Sequence, residues 1–201
     1  MSIISFHKPP VLRGEQLNLI PMEHEHAPFL FEINHPDIWE FMLSNIKTLK
    51  DMEKWVATAI QQREHGTALP FVVVLKETNQ IVGATRLFDI ILGQKSCELG
   101  HTWYGKDFQK TFVNSNAKNM LLTYCFEELK LVRVQFTTDE RNKPSQNAIA
   151  RLGAVNEGRK RNGRVLADGS VRDAIVYSIT NNDWISVKQG FQDRDAKYSI
   201  K

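Results

Sequence analysis

The sequence predicts an α/β protein on one mixed, mostly antiparallel sheet of about seven strands, with helices on both faces. Three observations carry that expectation. Segments with apolar residues at alternate positions interleave with segments whose apolar residues recur every three or four positions, the periods of strand and helix. Two strand pairs are joined by the short turns Thr78-Asn79-Gln80 and Ala167-Asp168-Gly169, which read as antiparallel hairpins. Between them runs one strand–helix–strand passage, which makes a central parallel crossover.

In chain order, residues 1–10 read as an extended arm, because Pro9-Pro10 excludes helix. Gln16 to Ile20 alternates polar and apolar, as a half-buried strand does. Glu23 to Ile33 carries Phe29, Leu30 and Ile33 at helical spacing and stops at Asn34-His35-Pro36; Ile38 to Asn45 is a loop or brief helix. Thr48 caps a helix whose apolar face is Met52, Trp55, Val56, Ala59 and Ile60, ended by Gly66. Phe71 to Leu75 and Ile81 to Phe88 form the first hairpin. Ser96 to Trp103 is the next strand, with Cys97, Leu99, His101 and Trp103 expected on one face. A helix from Asn114 to Leu129 presents Ala117, Leu121, Tyr124, Cys125 and Leu129, and leads to a strand at Val132 to Thr138. A helix from Pro144 to Leu152 ends at Gly153, and Ala154 to Arg161 pairs with Val171 to Ile179. A short helix from Asn182 reaches Gly190. The expected domain is single, over 11–185, with a C-terminal tail at 186–201 whose final eleven residues are loosely held.

Composition narrows the function classes. The 201 residues are 42% hydrophobic and include 11 Phe and 4 Trp, enough to bury a core and exclude a disordered chain. The longest apolar runs fall well short of the roughly 20 residues of a membrane span, and no signal peptide precedes the first strand. Cys97 and Cys125 form neither a disulfide framework nor a zinc pattern, and His24-Glu25-His26 lacks a third ligand, so no metal and a cytoplasmic location are expected. A net charge of +3 does not call for nucleic acid. The basic run Gly158 to Arg164 has no interleaved aromatic residue and reads as a solvated hairpin strand.

Two polar segments follow neighbouring strands. Trp103 to Asn114 passes through a loop with Lys106 and Lys110 into a helix start, whose free N–H groups favour an anion. Thr137 to Ser145 puts donors at the carboxyl end of the next strand, where ligands of open α/β sheets settle. Capping and turn chemistry by Thr111, Asn114, Asn142 and Ser145 is the alternative for each.

Glu98-Leu-Gly-His-Thr-Trp103, Gln109 to Asn114 with its helix, Asn142-x-x-Ser145 with Arg151-Leu-Gly153, and Asp168-Gly-x-x-Arg-Asp173 with Tyr177-Ser-Ile179 together resemble the GNAT superfamily of acetyl-CoA-dependent N-acetyltransferases, in its RimJ/RimL-like branch. The resemblance spans roughly residues 11 to 185. It implies acetyl-CoA as co-substrate, held by Thr102, Trp103, Tyr104, Gln109, Lys110, Thr111, Phe112, Val113 and Asn114, with Asn142 and Ser145 on the coenzyme arm. Backbone N–H groups of Thr102 to Tyr104 would polarise the acetyl carbonyl.

Two positions depart from the family pattern. Phe112 stands where the phosphate loop has Gly, and Ile149 where many members carry a Tyr acid; Ser145 is the hydroxyl this branch offers instead. Glu98 and His101 are the candidate bases. Being three apart on a strand, they are expected on opposite faces, so that only one sees the cleft. Asp37, Glu40 and Asp89 are candidate contacts to a cationic acceptor, which the N-terminal helices and final hairpin would grip. The expected reaction is direct attack of a primary amine, on a protein N-terminus or a small molecule, by a monomer or homodimer. The alternative is a non-catalytic acyl-CoA-binding module.

Overall fold

The computed structural model, which describes residues 6–166 and 169–199, joins eight strands in one sheet. They are β1 (Leu12–Arg13), β2 (Leu17–Pro21), β3 (Leu69–Leu75), β4 (Ile81–Ile91), β5 (Ser96–Tyr104), β6 (Arg133–Asp139), β7 (Val155–Val165) and β8 (Val171–Thr180), in the order β1-β2-β3-β4-β5-β6-β8-β7. Every neighbouring pair is antiparallel except β5 and β6. The strand beyond the expected seven is β1, whose two residues are too few for an alternation to register. Residues 1–5 of the expected arm and the Ala167-Asp168 turn lie outside the described residues.

Helices α1 (Ala27–Glu32) and α2 (Leu49–Glu64) cover one face. Thr48 starts α2 with a reciprocal cap, its hydroxyl accepting from Asp51 N while the Asp51 carboxylate accepts from Thr48 N. Helices α3 (Phe112–Thr123), α4 (Lys143–Ala150) and α5 (Trp184–Ser199) belong to the other face. Along β3, Phe71 and Val73 pack toward the α3 side and Val72 and Val74 toward the α2 side, which is why this strand is a continuous apolar run.

Two expectations are corrected. The short helix expected to reach Gly190 runs on as α5 to Ser199, and Phe191, in the stretch expected to be loosely held, is buried, as is Val187, while Trp184 stacks on Phe126. Nor do Cys97, Leu99, His101 and Trp103 share a face. The β4–β5 register slips between the Ala84–Trp103 and Arg86–Gly100 pairs, and His101 takes φ +47° there. This bulge resets the alternation, so Cys97 and Leu99 join the α3-side core while Trp103 joins the α2-side core.

Candidate active site

Strands β5 and β6 pair only through Ser96–Arg133, Cys97–Val134 and Glu98–Gln135. Beyond that rung both continue without a shared ladder, and the sheet opens into a wedge. The amino terminus of α3 follows β5 across its mouth and that of α4 follows β6.

At the first mouth, Thr111 caps α3: its hydroxyl accepts from Val113 N at 3.3 Å and donates to Phe108 O at 2.8 Å. Gln109 Nε2 donates to Tyr104 O at 3.1 Å, which ties the loop back to β5. Lys110 sits at φ +60°, supplying the left-handed turn without glycine. Phe112 is half-buried against the core, so its side chain is accommodated while its N–H lies in the first turn of α3. Val113, Trp103 and Tyr104 are core side chains. The Tyr104 hydroxyl donates to Asn114 Oδ1 at 3.3 Å. At the second mouth, Asn142 Oδ1 accepts from Ser145 N at 3.0 Å as the cap of α4, and Ser145 is half-buried. Ile149 is buried in the α3-side core, so no hydroxyl replaces the missing Tyr at that position.

On the α2 side, Glu98 is buried and its Oε2 accepts from Gln135 Nε2 at 2.9 Å. His101 contacts Phe88, the cross-strand partner of Glu98, with ring centroids 4.8 Å apart. The bulge therefore returns His101 to the face that Glu98 occupies, against the expectation of opposite faces. Burial, with Arg86 and Arg164 nearby, pulls the His101 imidazole down to about 3, which makes it a feeble proton acceptor. Glu98 is the stronger candidate base.

A cavity of about 660 Å³ also opens on this side, lined by Asn34, Pro36, Trp39, Glu40, Ile46 and Leu166 among others. Trp39 connects it to β5 through Trp103, their ring centroids 5.6 Å apart. Of the three expected acceptor contacts only Glu40 lines it. Asp37 is turned to solvent beside His35, and Asp89 sits in the irregular far end of β4 at φ +48°.

The structure adds charged groups that motif reading passed over. Asp139, 1% exposed at the end of β6, accepts from Arg141 Nη2 at 2.7 Å and lies 3.7 Å from Arg172 Nη1, which holds its carboxyl below the usual range. Lys118 on α3 is buried and donates to Thr102 Oγ1 at 2.9 Å. A signal for Lys118 exists in the sequence: it falls on the stripe of Asn114, Leu121 and Cys125, as a charge at an apolar position.

A mixed sheet opened at its one parallel pair, with a helix start at each mouth, defines an α/β protein with a cleft between two strand ends. The chain belongs to the GNAT acetyltransferase family, whose domain matches residues 16–155. YdaF of Bacillus subtilis (strain 168), named provisionally as a ribosomal N-acetyltransferase, is 30% identical over 52% of this chain and 56% of its own length. The ribosomal protein uS5-alanine N-acetyltransferase of Escherichia coli (strain K12) is 25% identical over 60% and 62%. The chain thus spans less than two thirds of either protein, though it matches 97% of the N-acetyltransferase p20 of Bacillus licheniformis at 25% identity. A GNAT-family structure from Chromobacterium violaceum ATCC 12472 superposes with TM-score 0.81 at 26% identity over 88% of this chain and 90% of that one. The microcin C7 self-immunity acetyltransferase MccE, solved with acetyl-CoA and AMP, shares the fold at TM-score 0.73 and 21% identity, over 83% and 93%. Among the described residues no helix is long and apolar enough to cross a membrane.

Proposed function

We propose that this protein is an N-acetyltransferase that transfers the acetyl group of acetyl-CoA to a primary amine, by direct attack in a ternary complex. The observation that carries this reading is the wedge beyond Glu98 and Gln135. A thioester threaded between β5 and β6 meets its nucleophile on the α2 side and releases its thiol on the α3 side. The coenzyme phosphates lie at the start of α3, where Lys106 and Lys110 add charge to free N–H groups. Backbone N–H groups of Thr102 to Tyr104 receive the carbonyl oxygen.

The acceptor enters from the cavity beside Trp39. Glu40 there favours a cation, and Glu98 takes the proton that an ammonium must lose before it can attack, directly or through one water. Ser145 offers a hydroxyl to the departing sulfur. The relatives named for ribosomal N-terminal acetylation, and the contribution of the β7–β8 hairpin through Leu166, favour a protein N-terminus over a small amine.

The test is release of free CoA from acetyl-CoA in the presence of N-terminal peptides and of small amines, alongside thermal stabilisation by CoA. Release with a peptide acceptor is expected. Stabilisation without release for any amine would replace this reading with a non-catalytic acyl-CoA-binding module, and no stabilisation at millimolar CoA would refute both.

A further inference from the structure

Lys118 extends from the second turn of α3 into the opening between β5 and β6. Its Nζ donates to Thr102 Oγ1 on β5 at 2.9 Å and stands 5.6 Å from the ring centre of Phe136 on β6. The residue is 7% exposed, and among the described residues no carboxylate lies within ion-pair distance of it. One hydroxyl and an aromatic face are thin compensation for an ammonium taken out of water, and Met or Leu would fill the same space without that cost. A cation held at such expense suits a negative charge that arrives later.

In acetyl transfer that charge develops on the coenzyme sulfur, which departs on the α3 side of the wedge. The phosphates remain at the mouth, beside Lys106 and Lys110. We propose that Lys118 is a catalytic residue of the acetyl transfer, its ammonium stabilising the departing coenzyme thiolate and giving it a proton. The inference rests on the acetyltransferase reading above. As the amine nitrogen bonds to the carbonyl carbon, the C–S bond breaks and its electron pair goes to sulfur. A proton moves from Nζ to sulfur, making the thiol, while Glu98, having already passed the ammonium's first proton to solvent, takes the second as the amide forms. Solvent then takes that proton and returns one to Nζ, which closes the cycle.

The proton affinity of the group fits this role. Burial alone brings the Lys118 ammonium down to about 7, where a general acid works best at neutral pH. The titratable groups on the neighbouring elements do not offset this. Glu98 and His101 turn to the other face, Tyr104 and Tyr124 stay protonated through burial, the Cys125 thiol is pushed up beside Cys97, and Asp139 is committed to Arg141 and Arg172.

Two measurements test it. In Lys118→Met, kcat should fall about 100-fold while the acetyl-CoA Kd and the Tm stay level or improve, because only transition-state stabilisation and a costly buried charge are removed. Separately, the wild-type kcat should fall as pH rises past about 7, where the ammonium donor is lost, and this alkaline limb should vanish in the variant. If Lys118→Met does not fold, Lys118→Gln, which keeps a donor for Thr102, is read instead. Turnover within threefold of wild type, or an alkaline limb that persists unchanged in the variant, overturns the proposal. Wild-type CoA binding and turnover stand apart from both results, so failure of this role is distinguished from failure of the acetyltransferase reading, which absence of CoA binding and turnover in the wild type would expose.

Discussion

Replacing Gly83 by Ala should damage the cleft from a strand that does not line it. Gly83 pairs with Tyr104, and a Cβ there would stand 2.3 Å from Trp103 O, 2.6 Å from Tyr104 Cδ1 and 3.0 Å from Tyr104 Cα. Two of these neighbours are backbone atoms and cannot rotate away. Relieving the shortest contact requires β4 and β5 to separate locally by about 1 Å. Overpacking of this kind costs about 1–3 kcal/mol, a fall in Tm of roughly 2–10 °C for a chain of this length. The displaced backbone is the Thr102–Tyr104 stretch assigned to the acetyl carbonyl, and a 1 Å error there lowers kcat by about 10²-fold. The assay is CoA release together with a thermal melt, with Gly93→Ala as the control, since a Cβ at Gly93 meets nothing within 4 Å. Wild-type kcat and a Tm within about 1 °C in Gly83→Ala would refute the claim that β5 is held in place by its contact with β4.

The other variants probe individual side chains. His101→Asn keeps a residue type that tolerates the left-handed backbone but removes the buried imidazole. The folded pKa of His101 lies near 3, below its unfolded 6.5, so the unfolded chain binds the proton first and stability drains away as pH falls from 6.5 towards 3. Thermal melts of the variant across that window should show a shallower acid decline, and an unchanged slope would mean that His101 contributes nothing to it. Glu98→Gln retains an oxygen for Gln135 Nε2 and should leave the Tm unaltered while lowering kcat/KM by roughly 10²–10⁴-fold; preserved activity would remove Glu98 as the base. Ser145→Ala keeps the α4 cap, which belongs to Asn142, and should lower kcat by about tenfold, the worth of one hydrogen bond to a charged sulfur. Unchanged turnover would show that the hydroxyl has no part in the leaving-group step.

Much of the architecture follows from local pattern. Alternation marked the strands, the Thr48 cap and the Gly66 and Gly153 stops bounded helices, and the long passage from Trp103 to Val132 demanded the crossover that creates the wedge. The strand-to-helix loop proposed for the coenzyme was legible as a local arrangement, with Thr111 capping α3 and Asn142 capping α4. Tertiary contact decided the remainder. Residue type does not announce that His101 takes a positive φ, yet that one bulge reverses the parity of β5, placing His101 with Glu98 and Trp103 in the opposite core from Leu99. The final eleven residues read as loose because the burial of Phe191 depends on core residues distant in the chain. The cavity beside Trp39 gathers residues from 34 to 47 with Leu166, and Lys118 is buried because Thr102 of β5 and Phe136 of β6 flank it. Sequence thus determined the order of elements and the place of the two helix starts that flank the wedge, since both depend on neighbours along the chain. The facing of the candidate bases and the burial of one lysine in the wedge depend on neighbours in space, and only the folded protein decided them.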